Sequence, residues 1–182
     1  MKKMAVGILL TGVIGTVHPV PGAATEVPAW RKSLPGVGVA GKATFTVWGL
    51  EIYAATLWIV PDFSVAQYAN HEFAMELAYL RELDSAVIAK SSISEIRRQG
   101  VIDDAKLRAW EKSLRAVIPD VKRGDRITGW HRPGVGVMFF LNDHLLGEIN
   151  DPEFAGRFFA IWLSPTTSVP KLRQALLASA RP

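Results

Sequence analysis

Residues 125–165 read DRITGWHRPGVGVMFFLNDHLLGEINDPEFAGRFFAIWLSP, and the apolar pattern changes once within them. Residues 125–132 and 135–141 carry the β-branched and aromatic content of strands. Asn142-Asp143 then turns the chain into a further strand at 144–149, a hairpin signal, because both residue types accept left-handed backbone. Asp151-Pro152-Glu153 has the marks of a helix start. Asp151 is an N-cap, Pro152 sits in the first turn, and Glu153 places an acid at the positive end of the helix dipole. Phe154, Phe158, Ile161 and Trp162 then form one apolar stripe at helical spacing, which Ser164-Pro165 ends. Three strands feeding a helix with one greasy face predict a sheet with a helix laid across it.

Working outward, residues 43–48 alternate, with Phe45 and Val47 opposite Thr44, Thr46 and Trp48, which is the period of a strand. Gly49 permits a bend, a second strand covers 51–60, and Pro61-Asp62 ends it. A third strand covers 72–81 and places Phe73, Met75, Leu77, Tyr79 and Arg81 on one side. The period then becomes helical. Asp84 or Ser85 caps a helix running to about Gln99, where Gly100 is a good stop. Asp103-Asp104 opens a second helix whose Leu107, Trp110, Leu114, Val117 and Ile118 share a face, and Pro119 closes it. A short last helix, capped by Ser168, carries Leu172 and Leu176. The order is three strands, two helices, three strands, two helices. The expected class is α+β, an antiparallel sheet with helices layered on one face.

The composition fits a folded chain: 182 residues, 49% apolar and 21% charged. Lys+Arg exceeds Asp+Glu by 21 to 17 with no basic run, so nucleic acid is not an expected partner. There is no cysteine, which excludes a disulfide scaffold, a thiolate zinc site and a thiol nucleophile. The N-terminus has the order of a secretory signal. Lys2 and Lys3 precede an apolar run at 4–17, and Gly22-Ala23-Ala24 supplies small residues for cleavage. That run is shorter than the ~20 apolar residues of a membrane span, so no span is expected after signal removal. The expected organisation is a signal peptide at 1–24, a polar lead at 25–36 and one domain at 37–178, in a periplasmic or secreted protein.

Several motifs resemble reactive sites and fail on context. Residues 36–41 spell GxGxxG, but a strand follows instead of the helix a pyrophosphate needs, so the glycines are expected in a turn or bulge. His71-Glu72 begins HExxH but Met75 stands at the second ligand position. His131 and His144 could approach across the final strands, but no carboxylate sits at helical spacing to complete a site, and no metal or other cofactor is expected. Ser168 and Lys171 match SxxK around a proline, where capping is the better account. Arg97-Arg98 ends a helix, where cations oppose the negative dipole end.

Three blocks carry a family likeness. Residues 41–59, GKATFTVWGLEIYAATLWI, resemble the opening hairpin of chalcone isomerase-like domains, especially an exported bacterial branch. Residues 75–100, MELAYLRELDSAVIAKSSISEIRRQG, resemble the next strand and first helix, and the block from Ile118 resembles the second half. The likeness covers 37–177. It implies an open-faced sandwich with a cleft between sheet and helices that holds chalcones in plant enzymes and fatty acids in plastid relatives. In the enzymes an arginine on the first strand steadies the phenolate and enolate of ring closure. The corresponding place here is near Thr44, with Lys42 two residues earlier. The remaining catalytic places fall near Tyr53, Ile88 and Glu95. Four departures together argue against chalcone cyclisation.

The reading that follows is a non-catalytic protein holding a small apolar or amphipathic, fatty-acid-like ligand, with Thr44, Trp48, Tyr53, Tyr79 and Arg81 as cleft residues. Arg81 is the expected partner of a carboxylate, or of a salt bridge at the strand end. A second reading is a cofactor-free isomerase or lyase using Lys42 with Glu95 or His131. A third is an envelope interaction module offering a sheet edge to a protein partner.

Overall fold

The structure, a computed structural model, describes residues 28–181; the expected signal peptide and the start of the polar lead lie outside them. Six strands form one meander in chain order: β1 Gly38–Val47, β2 Leu50–Ile59, β3 Phe73–Tyr79, β4 Arg126–Arg132, β5 Gly136–Leu141 and β6 His144–Ile149. Every neighbouring pair is antiparallel. Four helices lie on one face: α2 Ser85–Arg97, α3 Asp104–Val117, α4 Pro152–Leu163 and α5 Pro170–Leu176. The class is the expected α+β layering.

Directly paired residues on antiparallel strands share a face, so the register sorts the side chains into rows. Ile59, Phe73, His131, Val137 and Ile149 form one row on the helix side. Gly41, Leu57, Met75, Gly129, Phe139 and Gly147 form the next. Ala43, Ala55, Leu77, Ile127 and Leu141 form the third, and Phe45, Tyr53 and Tyr79 the last. The stripe of α4 fills the space above the first rows: Phe159 meets Phe73 edge-on at 4.7 Å and His131 at 5.3 Å.

The local signals account for most element ends. Asn142 and Asp143 have φ of 48° and 72°, the left-handed pair that a two-residue hairpin requires. Asp103 caps α3 by accepting from the Ala105 and Lys106 amides. Asp151 caps α4 through the Phe154 amide and also accepts from Trp110 Nε1 at 2.8 Å, tying α3 to α4. Asp84 takes the N-cap position of α2 without a side-chain cap bond, and the first amide of the helix donates to Asp120 Oδ1 at 2.7 Å. Ser168 does not cap α5, whose N-cap is Val169; its hydroxyl donates to Glu95 instead. The glycine run behaves as a turn and bulge: Gly36 has φ 70°, and the β1 register slips between Val39 and Gly41.

The expected polar lead differs most. From Pro28 it packs on the sheet, with α1 (Ala29–Lys32) on the face opposite the other helices. Trp30 and Leu34 are buried there against Ala74 and Phe140, beside Trp58 and Trp130. The Arg31 guanidinium lies 3.8 Å above the Trp58 ring, a cation–π contact. The alternate residues of β2–β5 thus build a second, smaller core.

Candidate functional site

A cavity of about 480 Å³ opens between the helix side of β1–β3 and helices α2 and α4. That volume falls within the range of small-molecule sites. Its floor is the last row of the sheet. Phe45 stacks on Tyr53 at 5.0 Å, and Tyr79 meets Tyr53 edge-on at 6.1 Å. Leu77 and Ile127 continue the floor inward, and Phe158, Ile161 and Trp162 of α4 form the back wall.

The roof is α2, and its composition explains why the space exists. Ile88, Ser91, Ser92 and Glu95 recur at one-turn spacing and line the cavity together. Where a core helix would carry leucines, this stripe carries two serines too short to reach the sheet. Ser92 spends its hydroxyl on the Ile88 carbonyl of its own helix at 2.9 Å. Meanwhile α2 is held at its end by Gln99, whose Nε2 donates to the Arg157 carbonyl of α4 at 2.8 Å. The helices are therefore fixed by contacts beside the cavity, and close packing stops at its edge.

The polar groups are few. Trp162 Nε1 donates to the Tyr53 hydroxyl at 3.0 Å. Glu95 is the one charged side chain among the described lining residues; it accepts from Ser168 at 2.6 Å and has Arg98 Nε at 3.6 Å. Burial pushes the Tyr53 phenol from 10.0 up to about 12, opposed by the Trp162 hydrogen bond and reinforced by the Glu95 charge. Burial also raises Tyr79, and the neighbouring Tyr53 adds to the shift. The unfolded chain releases these protons near pH 10 while the folded one keeps them, so folding retains protons in that interval. Stability should therefore fall as pH rises from 10 to about 12, and Tyr53→Phe should flatten that fall in denaturant titrations.

Two of the five expected cleft residues, Tyr53 and Tyr79, line the cavity; three do not. Thr44 pairs with Ala54 and lies on the opposite face, because its neighbour Phe45 takes the inward position. Trp48 sits in the β1–β2 turn with φ 48° and is 97% exposed. Arg81 lies beyond the end of β3, where strand alternation has ceased, and its Nε donates to the Glu51 carbonyl at 3.0 Å. The expectation instead missed Phe45, Val47 and the serine stripe of α2. The first two were legible as the apolar parity of β1.

The groups expected for proton transfer are dispersed. Lys42 shares a register row with Thr56 and Glu76 on the face away from the cavity. His131 is buried, stacked on Phe73 at 4.7 Å, and its Nδ1–H donates to the His71 carbonyl at 2.8 Å. Burial lowers its pKa, partly offset by that hydrogen bond, so it is a neutral core side chain. His144 is exposed on β6 and bonds the Asn142 carbonyl, apart from His131. Among the described residues no three metal-ligating side chains gather. Of the residues aligned with catalytic places, Tyr53, Ile88 and Glu95 do meet in the cavity, and the described lining residues include no cation; Arg98, which pairs with Glu95, stands outside the lining.

A six-stranded antiparallel sheet separated from its helices by an apolar space defines an α+β protein with a built-in ligand-sized cleft. The chalcone isomerase-like family model matches residues 31–178, and the chain belongs to that family. It is 26% identical over 141 residues to an uncharacterized protein of Haemophilus influenzae, across 78% of this chain and 68% of that one. Among solved structures it is similar to a fatty-acid binding protein of Arabidopsis thaliana, with a TM-score of 0.55 and 12% identity. That match covers 79% of this chain and 85% of the plant chain. At that identity the likeness is one of fold.

Proposed function

We propose that this protein is an exported, non-catalytic carrier or sensor of a small apolar or amphipathic ligand held between its sheet and helices. The observation that carries the reading is the 480 Å³ cavity with its aromatic and aliphatic walls. The fold shared with a plant fatty-acid binding protein supports it. Ring closure of a chalcone needs positive charge beside a developing oxyanion, and the described lining residues supply the opposite sign at Glu95. Export is supported by the basic start, the apolar run at 4–17 and Gly22-Ala23-Ala24.

Native mass spectrometry of protein taken from the periplasmic fraction tests both parts. A retained small molecule and an N-terminus beginning after Ala24 are expected. A ligand that prefers the folded state must raise the melting temperature. Ile88→Trp places an indole into the cavity from its roof, and it should abolish that rise while leaving the apo protein folded. Repeated ligand-free preparations, together with no thermal shift from medium-chain amphiphiles, would refute the carrier reading.

A further inference from the structure

The chemistry of the cavity selects among amphiphiles. Its polar lining consists of the Tyr53 and Tyr79 phenols, the Ser91, Ser92, Ser94 and Ser168 hydroxyls and the Glu95 carboxylate, and the described lining residues include neither lysine nor arginine. Tyr53 accepts the Trp162 indole proton through its oxygen, which leaves its own O–H free to donate. Tyr79 is 3% exposed, lines the same space, and its hydroxyl has no hydrogen-bond partner in the protein. Its hydroxyl is therefore open to a ligand oxygen entering the cavity, which accepts the proton as one neutral hydrogen bond. Both phenols remain protonated across the physiological range, since burial disfavours their ionised forms. They therefore offer donors and no charge.

An ionised carboxylate head would meet these donors with no cation among the described lining residues and with Glu95 nearby, whose partner Arg98 stands outside the lining. Burying an anion under those conditions costs far more than burying a neutral oxygen, which the same phenols satisfy equally well. Arg81, the side chain expected to receive a carboxylate, is engaged with the Glu51 carbonyl and stands outside the lining.

We propose that the cavity is selective for uncharged amphiphiles, an apolar chain ending in a hydroxyl or carbonyl oxygen received by Tyr79 and Tyr53, and discriminates against the free carboxylate. This rests on the carrier reading and specifies its ligand class. The fold is thus shared with a fatty-acid binding protein while the head-group chemistry differs.

Decan-1-ol and decanoate at pH 8 are matched probes that differ at the head. Intrinsic tryptophan fluorescence follows binding, since Trp162 forms part of the wall. Decan-1-ol should bind about tenfold or more tighter than decanoate, given the cost of an unpaired buried anion. Tyr79→Phe deletes only a hydroxyl without a protein partner; it should keep the fold and weaken decan-1-ol roughly three- to tenfold, the worth of one neutral hydrogen bond. Glu95→Gln should strengthen decanoate several-fold by removing the like charge. Decanoate binding as tightly as decan-1-ol, or Tyr79→Phe leaving decan-1-ol unchanged, overturns the selectivity and leaves the carrier reading standing. Failure of both probes to bind overturns the two together.

Discussion

Phe159→Ala should destabilise the protein by about 3–5 kcal/mol, the usual cost of emptying a buried aromatic site. Phe159 is 0% exposed at the middle of α4. Its ring meets Phe73 at 4.7 Å, His131 at 5.3 Å and Phe158 at 5.4 Å. Below it lies Gly129, where a Cβ would already approach the ring to 3.4 Å. The absent side chain at 129 is the hole and Phe159 the knob, so truncation leaves a void that the rigid sheet closes poorly. Urea titration should show a lower midpoint with unchanged slope, because the surface exposed on unfolding hardly alters. A loss below about 1 kcal/mol would mean that α4 is not seated on the sheet as described.

Gly41→Ala should cost about 3 kcal/mol and release α5, at the upper end of overpacking effects. A Cβ at 41 would stand 2.0 Å from the Ala175 carbonyl oxygen and 2.5 Å from that of Leu176. Both are backbone atoms, so no side-chain rotation relieves the clash. The helix is further bound to β1 through the Ser179 amide on the Ala40 carbonyl, and it buries Leu172 and Leu176. Gly38→Ala is the control: a Cβ there meets nothing within 4 Å, and stability should stay within about 0.5 kcal/mol of the parent. Hydrogen exchange should separate the two variants, with α5 amides losing protection only in Gly41→Ala. Equal stability of both would place the helix elsewhere.

The far face of the sheet shows how one expectation went astray while its basis was sound. The alternation at 43–47 correctly opposed Phe45 and Val47 to Thr44 and Thr46, whereas Trp48 falls past the strand, in the turn. The likeness of the first hairpin then drew attention to Thr44, on the polar side, whereas the register brings Phe45 onto Tyr53 and Tyr79. Alternation defines two faces but does not label them, since each label depends on what covers the face. Trp30 is a similar case: a tryptophan in a proline-containing lead has no periodic partner, and its burial against Ala74 and Phe140 arises from strands far along the chain.

The element types, the meander-compatible order of strands, the turn at Asn142-Asp143 and the caps at Asp103 and Asp151 were determined by the sequence alone. Each depends on backbone preferences or side-chain spacing over a few residues, and such interactions act within the segment itself. The cavity was decided by the tertiary structure. Ser91 and Ser92 make a void only because α2 is held by Asp120 at one end and Arg157 at the other, over a row of rings from three strands. Empty space belongs to the distance between elements, and no local preference encodes it.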